Sequence, residues 1–328
     1  MNSMHSEIQA PSWLFNKLPK NIGGVYIQKG QSEDDNQNHT NKAFSEKWNN
    51  TKQSDDEADI WKIKQLKWYL SLYGYQSEEQ FAQELKKKRF VLDAGCGLGY
   101  KAAWFARLAP KSIIVAMDFS DSIYKAADRY KSYENMIFVQ GDIADTEFKD
   151  EIFDFISCDQ VLHHTESPPC TLQEFYRISS KQAVLNTYVY AKKALPRELL
   201  DEYFRHASKE LDHSEIWQLS EQLTELGKQL SALDVSIDFP EMPALGIKGG
   251  KQDIQRFIYW NFLKCFWNEE MGWEQSVAVN FDWYSPSNAF RYDKQEFFEM
   301  CHNAGWENKF LHSEEACWSG RFQHFLRD

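Results

Sequence analysis

The chain has 328 residues, 42% hydrophobic and 26% charged, which bounds it to one large globular domain or a core with a sizeable addition. Lys and Arg number 37 against 49 Asp and Glu, a net charge of −12. An acidic balance of this size repels a phosphate backbone, so a broad nucleic-acid surface is not expected.

No apolar run approaches the ~20 residues of a membrane-spanning helix. Residues 1–20 lack the basic start and apolar centre of a secretory signal. The six cysteines (Cys96, Cys158, Cys170, Cys265, Cys301, Cys317) are dispersed and include no CxxC pair. That pattern fits reduced thiols in a cytoplasmic protein better than a disulfide framework or a zinc site.

Residues 31–42 (QSEDDNQNHTNK) are polar without an apolar period and are expected to form a loop or linker. Residues 61–73 carry a rough helical stripe of Trp61, Ile63, Leu66, Trp68, Tyr69, Leu70 and Tyr73. A second short helix is expected over 77–88, with Ser77 as N-cap and Glu78 and Glu79 in its first turn. From Phe90 the pattern alternates: strands over 90–94, 112–118, 136–140, 153–159 and 183–190, helices over 100–108, 122–133 and 168–179. Such alternation calls for right-handed crossovers between parallel strands, an α/β fold with a Rossmann-like, doubly wound, mostly parallel sheet.

After Tyr190 helical patterns take over until about residue 291. Leu195-Pro196 opens one helix. Asp212 and Glu215 form a capping box for the next, whose Ile216, Leu219, Leu223, Leu226, Leu230 and Leu233 share one face suited to packing or a dimer contact. Another helix is expected over 253–267, and the remaining strand and helix signals lie in 293–304 and 307–325.

The chemistry concentrates in four short motifs. VLDAGCGLG at 91–99 places Gly95, Gly97 and Gly99 at alternate positions after the first strand. Without a Cβ, Gly95 and Gly97 let the backbone turn tightly and touch a ligand. The longer GxGxxG loop wraps a pyrophosphate; the tighter GxGxG suits a ligand with an amino acid end and no phosphate. Asp118, closing SIIVAMD, can accept hydrogen bonds from two ribose hydroxyls. Asp142 in VQGDI can accept from an adenine amino group, with Ile143 and Phe119 offering apolar faces. FDFISCD at 153–159, followed by QVLHHT, ends at the same crevice.

In this order and spacing, VLDAGCGLG, MDFS, VQGDI and FDFISCDQVLHHT resemble the class I S-adenosylmethionine-dependent methyltransferases, nearest the group called methyltransferase type 11. The resemblance covers about residues 89–190 and implies S-adenosyl-L-methionine as cofactor. It implies Asp93 and Gly95 at the methionine end, Asp118 at the ribose, Asp142 at the adenine and the Asp159–Gln160 backbone beside the sulfonium, with Cys96, Gly97, Gly99, Phe119 and Ile143 completing the cofactor set. ISSKQ at 178–182 replaces the family's frequent Lys-Pro-Gly-Gly turn and is read as a different loop, distant from the crevice. FSEKW at 44–48 resembles an N-terminal element that covers the cofactor, which adds Trp48 to the cofactor set. YVY at 188–190, REL at 197–199, RFIYW at 256–260 and NFDWYSP at 280–286 look like the insertion of one branch of the family.

The expected organisation is an N-terminal segment with cofactor-covering helices (1–76), the cofactor-binding core (77–190), an aromatic-rich helical lid inserted after the fifth strand (191–290), and C-terminal elements completing the core (291–328). His163 and His164 are candidates for a general base or for shaping the pocket; no carboxylate or cysteine spacing around them supports a metal. Arg256, Tyr259, Asn280, Asp282, Trp283, Tyr284 and Arg291, with Lys264 nearby in sequence, are expected to line an acceptor pocket that receives an acidic group. The expected reaction is in-line methyl transfer to an oxygen or nitrogen of a small molecule, with a protein, peptide or glycan as the alternative acceptor. The expected partners are a small-molecule acceptor and, on the apolar helix face, a second copy, with neither nucleic acid nor membrane.

Overall fold

The computed structural model describes residues 11–28, 32, 34–50 and 60–325. In chain order, the hairpin β1 (Lys20–Ile22) and β2 (Val25–Ile27) precedes the helices α1 (Asp35–Asn50), α2 (Ile60–Leu72) and α3 (Glu78–Leu85). The core then alternates through β3 (Phe90–Ala94), α4 (Tyr100–Leu108), β4 (Ile113–Asp118), α5 (Ser122–Arg129), β5 (Met136–Gln140), β6 (Phe153–Cys158), α6 (Pro168–Ile178) and β7 (Ser179–Ala191). Next come α7 (Leu195–Ser208), α8 (His213–Ala232), the hairpin β8 (Ser236–Phe239) and β9 (Gly250–Asp253), α9 (Ile254–Asn261) and α10 (Gly272–Tyr284). β10 (Arg291–Tyr292), α11 (Lys294–Asn303), β11 (Trp306–Ser313) and β12 (Cys317–His324) follow.

One large sheet carries the order β1-β2-β5-β4-β3-β6-β7-β12-β11, with β10 alongside β7. β2 through β7 pair in parallel along this path, while β12 runs antiparallel to β7 and β11 antiparallel to β12. From β3 the chain moves to β4 and β5 on one side and to β6 and β7 on the other. That reversal opens a crevice at the carboxyl ends of β3, β4 and β6.

Residue parity decides which core each strand side chain joins, because successive side chains leave opposite faces. Val91, Ile114, Phe138 and Phe155 pack with Tyr69, Tyr73 and Phe81 from α2, α3 and the turn between them. Leu92, Val115, Ile137, Ile156 and Leu185 pack with Phe175, Phe297 and Trp306 on the other face. This matches the doubly wound sheet that the alternation predicts.

The differences lie outside the core. The polar stretch 31–42 is no loop throughout: α1 begins at Asp35, opened by Asp34, whose Oδ1 accepts from Gln37 N at 2.6 Å. Its buried face is Gln37, Thr40 and Ala43, so no apolar stripe announced it. The helix expected over 253–267 stops at Asn261, and that expected over 122–133 stops at Arg129.

On α8 the buried positions are Ile216, Ser220, Leu223, Thr224 and Gly227, whereas Leu226 and Leu233 stay exposed. A Cβ at Gly227 would lie 2.3 Å from the Cys265 carbonyl oxygen, so close backbone approach, rather than a leucine stripe, seats this helix. The β8–β9 hairpin was not anticipated. Among the described residues, no helix is long and apolar enough to cross a membrane.

Candidate functional site

The glycine turn after β3 is built as its spacing requires. Gly95 has φ +80° and Gly97 φ +54°, left-handed values that favour glycine. A Cβ at Gly95 would sit 2.4 Å from Val161 Cγ2. The turn is tied to the end of β4: Gly95 N and Cys96 N both donate to the Met117 carbonyl, at 2.8 and 2.9 Å.

Asp118 locks the same junction. Its Oδ2 accepts from Gly97 N at 2.7 Å, and its Oδ1 accepts from Ser120 N at 2.9 Å and Ser120 Oγ at 2.5 Å. Burial pushes its carboxyl above the usual range, and these bonds oppose that shift. Asp142, beyond β5, accepts from Ala144 N at 2.8 Å beside buried Ile143 and half-buried Phe119.

A buried ionic cluster lies past the end of β6. Asp159 Oδ2 contacts Lys101 Nζ at 2.5 Å, Asp159 Oδ1 accepts from Tyr73 OH at 2.7 Å, and Gln160 Nε2 reaches Asp159 Oδ2 at 3.2 Å. Gln160 itself sits at φ +64°. Burial works against the Lys101 charge, but the Asp159 carboxylate outweighs it and holds the ammonium above the ordinary lysine range. Neighbouring Asp93 is raised to about 7 by burial, against the pull of Lys101, and its Oδ2 finds no hydrogen-bond partner in the protein.

These groups open on a cleft of about 1540 Å³, its mouth included. Gly95, Cys96, Gly97, Asp118, Phe119, Asp142, Ile143, Asp159 and Gln160 supply the core wall. The other wall comes from outside the core: Gln37, Thr40, Phe44, Lys47 and Trp48 on α1, with Gln275, Ala278, Val279 and Asp282 on α10. Trp48 lies on the glycine turn, since a Cβ at Gly97 would be 3.0 Å from its Cζ2. Within that second wall Lys47 ties α1 to α10, its Nζ 4.3 Å from the Trp48 ring centre and 2.6 Å from Asp282 Oδ2.

Several sequence expectations are corrected here. Asp93 lies beneath the turn and does not line the cleft, and Gly99 packs on Ala126 and Tyr130 as it opens α4. His164 lines the cleft, but His163 is buried behind it, its ring centre 3.8 Å from that of Tyr190. His164 Nδ1 is 2.6 Å from the Asn288 carbonyl, so that nitrogen carries the proton and Nε2 keeps a lone pair. Burial lowers the His164 pKa to about 4, leaving a neutral ring at ordinary pH.

Of the acceptor residues expected from sequence, only Asp282 reaches the cleft. Asn280 instead clamps the insertion: its Oδ1 accepts from Phe266 N at 2.8 Å, and its Nδ2 donates to Thr224 Oγ1 at 2.8 Å and Phe266 O at 3.1 Å. Trp283 Nε1 and Tyr284 OH donate to Asp201, at 2.9 and 3.2 Å. Arg291 pairs with Glu198 and Glu202, while Arg256 flanks the buried Tyr259 ring. The mixed run 280–286 has its aromatics because Phe281, Trp283 and Tyr284 pack α10, not because they face a ligand.

Sequence reasoning missed Lys101 and Tyr73. The lysine had a signal, a cation in the first turn of the YKAAWFARL helix, far from the Arg107 that ends it; Tyr73 had none. It also missed the segment after α10. There Asn288 N donates to Thr40 Oγ1 at 2.9 Å, Asn288 Nδ2 to Gln37 Oε1 at 3.2 Å, and Phe290 N to the His163 carbonyl at 2.9 Å, tying α1 to the histidine loop.

Residues 92–185 match the family described as methyltransferase domain. An uncharacterized protein of Synechococcus sp. is 31% identical over 128 residues, which cover 38% of this chain and 30% of that protein. The uncharacterized methyltransferase YcgJ of Bacillus subtilis is 25% identical over 161 residues, 44% of this chain and 62% of its own. The chain thus spans less than two thirds of these relatives' length. The structure of PKMT2 from Rickettsia typhi superimposes with a TM-score of 0.52 at 16% identity, over 77% of this chain and 53% of that one, a likeness of fold. The glycine turn, the two strand-end aspartates and the Asp159–Gln160 corner, which open on one cleft, all lie inside the segment 92–185 that matches the methyltransferase domain.

Proposed function

We propose that the chain transfers a methyl group from S-adenosyl-L-methionine to an oxygen or nitrogen atom of a small molecule. One observation supports this above others: the turn bare of side chains at Gly95 and Gly97 shares its cleft with Asp118, Asp142 and Gln160. The residues fit the cofactor's parts. Gly95 and Gly97 leave bare backbone for the amino acid end, Asp118 is a carboxylate for ribose hydroxyls, and Asp142 with Ile143 and Phe119 suits adenine.

Once bound, the cofactor supplies an electrophilic methyl group already activated by its positive sulfur. The chain's own contribution is then alignment of the acceptor and exclusion of water. Trp48, Phe44 and the α1–α10 contact through Lys47 and Asp282 close the wall opposite the core. His164, with its Nε2 lone pair, can take a proton from a hydroxyl acceptor. A group with a pKa of about 4 withdraws little proton before the transition state, so orientation outweighs base catalysis.

The small-molecule reading rests on that second wall: α1 and α10 take up the side from which a bulky polymer would approach. Six free cysteines suit a reducing, cytoplasmic setting. Calorimetry with S-adenosylmethionine and S-adenosylhomocysteine tests the cofactor; absence of binding, or equal binding after Asp118→Ala, sinks the reading. Methyl-labelled cofactor added to a fractionated lysate tests the acceptor. Label in the small-molecule fraction is expected, and label confined to macromolecules would replace this acceptor class.

A further inference from the structure

α7 is built inside out. Its outward face carries Leu195, Leu199 and Tyr203, with Tyr203 78% exposed, while Arg197, Asp201, Arg205 and Ser208 point into the insertion. A helix ordinarily buries its apolar stripe, so the charged face is held inside against its own amphipathicity.

The charges there do not balance. Asp201 is committed: Oδ2 accepts from Arg197 Nε at 2.7 Å and from Trp283 Nε1, and Oδ1 from Tyr284 OH. Among the described residues, the Arg205 guanidinium has one hydrogen bond, from Nη1 to the Pro286 carbonyl at 2.9 Å, and its Nε and Nη2 are buried without a partner, as is Nη2 of Arg197. Among the described residues, Lys264, 6% exposed, has one hydrogen-bond contact, to Tyr259 OH at 3.5 Å, and lies 4.5 Å from the Trp283 ring centre. Of the surrounding charges, Glu198 pairs with Arg291 and Lys193 donates to backbone carbonyls, while Asp282 gives Oδ2 to Lys47 and keeps a buried Oδ1 without a hydrogen bond among the described residues, its charge acting on Lys264 together with that of Asp201. Burial lowers Arg205 to about 10 and Lys264 to about 7.

None of Arg197, Arg205 and Lys264 lines the cleft; the packed rings of Tyr190 and Trp283 connect them to its wall. His164 lines the cleft, the Tyr190 ring is 5.5 Å from it, and Trp283 is 4.7 Å from Tyr190. Asp282, which also lines the cleft, precedes Trp283 on α10. Buried guanidinium donors without partners cost stability and match an oxyanion in charge and geometry.

We propose that Arg205, Arg197 and Lys264 receive an anionic group, carboxylate or phosphate, on the methyl acceptor, whose reacting atom lies in the cleft beside His164. The proposal rests on the methyltransferase reading above.

The test is calorimetry on the S-adenosylhomocysteine complex with benzoate, phenyl phosphate and neutral benzamide as probes. One anion binds at least tenfold more tightly than benzamide, and which one binds distinguishes a carboxylate from a phosphate acceptor. Lys264→Met and Arg205→Gln each weaken that anion tenfold or more and leave S-adenosylhomocysteine affinity unchanged. Lys264→Met also keeps or raises the melting temperature, because it removes an uncompensated buried charge. Equal binding of all three probes, no binding of either anion, undiminished anion binding in both variants, or a fall in the Lys264→Met melting temperature overturns the proposal. If S-adenosylhomocysteine does not bind the wild type, the methyltransferase reading fails first and this inference goes with it.

Discussion

Residues 90–190 and 191–290 use burial in opposite ways. The parallel strands carry Val, Ile, Leu and Phe on both faces and, apart from buried groups such as Asn186 and Thr187 inside β7, gather their acidic residues at the carboxyl ends, where Asp118, Asp142 and Asp159 meet the cleft. The insertion buries Arg197, Asp201, Arg205, Lys264 and Asn280 and leaves Leu195, Leu199 and Tyr203 outside. A sheet between helix layers is stable without help from its ligand, so its polar residues are free to sit at the rim. An insertion held by buried hydrogen bonds and ion pairs is more costly to assemble and more selective in what it will accept. The two halves therefore differ in kind: one offers a cleft at its strand ends, the other a buried polar network beside it.

The sharpest way to break the comparison is at the turn. Gly95→Val forces a branched side chain into Val161 at a left-handed φ and should abolish S-adenosylhomocysteine binding in calorimetry; retained affinity would mean the cofactor does not use this turn. Asp159→Asn strands the buried Lys101 charge and should lower stability by about 3–5 kcal/mol in denaturant unfolding. A loss under 1 kcal/mol would mean water relieves the lysine. Asp118→Asn should weaken S-adenosylhomocysteine roughly 10- to 100-fold, about 1.5–3 kcal/mol for a hydrogen bond to a charged group.

On the other side of the divide, Asn280→Ala should cost roughly 1–3 kcal/mol of stability with cofactor affinity unchanged, since it unclamps residue 266 from α8 and touches nothing in the cleft. A matching loss of affinity would show that the two halves are coupled. The last effect concerns pH. His164 has a folded pKa of about 4, below its ordinary 6.5, so the folded state binds its proton less readily than the unfolded chain. The stability it contributes is present above about 6.5 and lost as pH falls toward 4. His164→Asn should flatten that part of the melting-temperature profile, and an unchanged slope would assign it to other groups.

The core and its cleft were legible from the residues because both follow local rules. Apolar runs bounded by turns give strands, alternation with helices gives parallel order, and glycines at 95 and 97 mark left-handed backbone whatever surrounds them. Asp118 and Asp142 were readable for the same reason, as strand-end acids whose position is fixed by the strand preceding them. Trp48, read from FSEKW by resemblance, does line the cleft.

Tertiary structure alone decided the rest. Whether His163 or His164 faces the cleft depends on which ring stacks on Tyr190, and the fate of Asn280, Trp283, Tyr284 and Arg291 depends on partners in α7, α8 and the 266 segment. The α1 helix buries Gln37 and Thr40 because residues after α10 supply their hydrogen bonds, a match between segments some 250 residues apart. Periodicity reports the hydrophobic effect, which is non-directional and local in pattern. Buried polar groups are satisfied by specific distant partners, and no pattern along the chain records which partner each one finds.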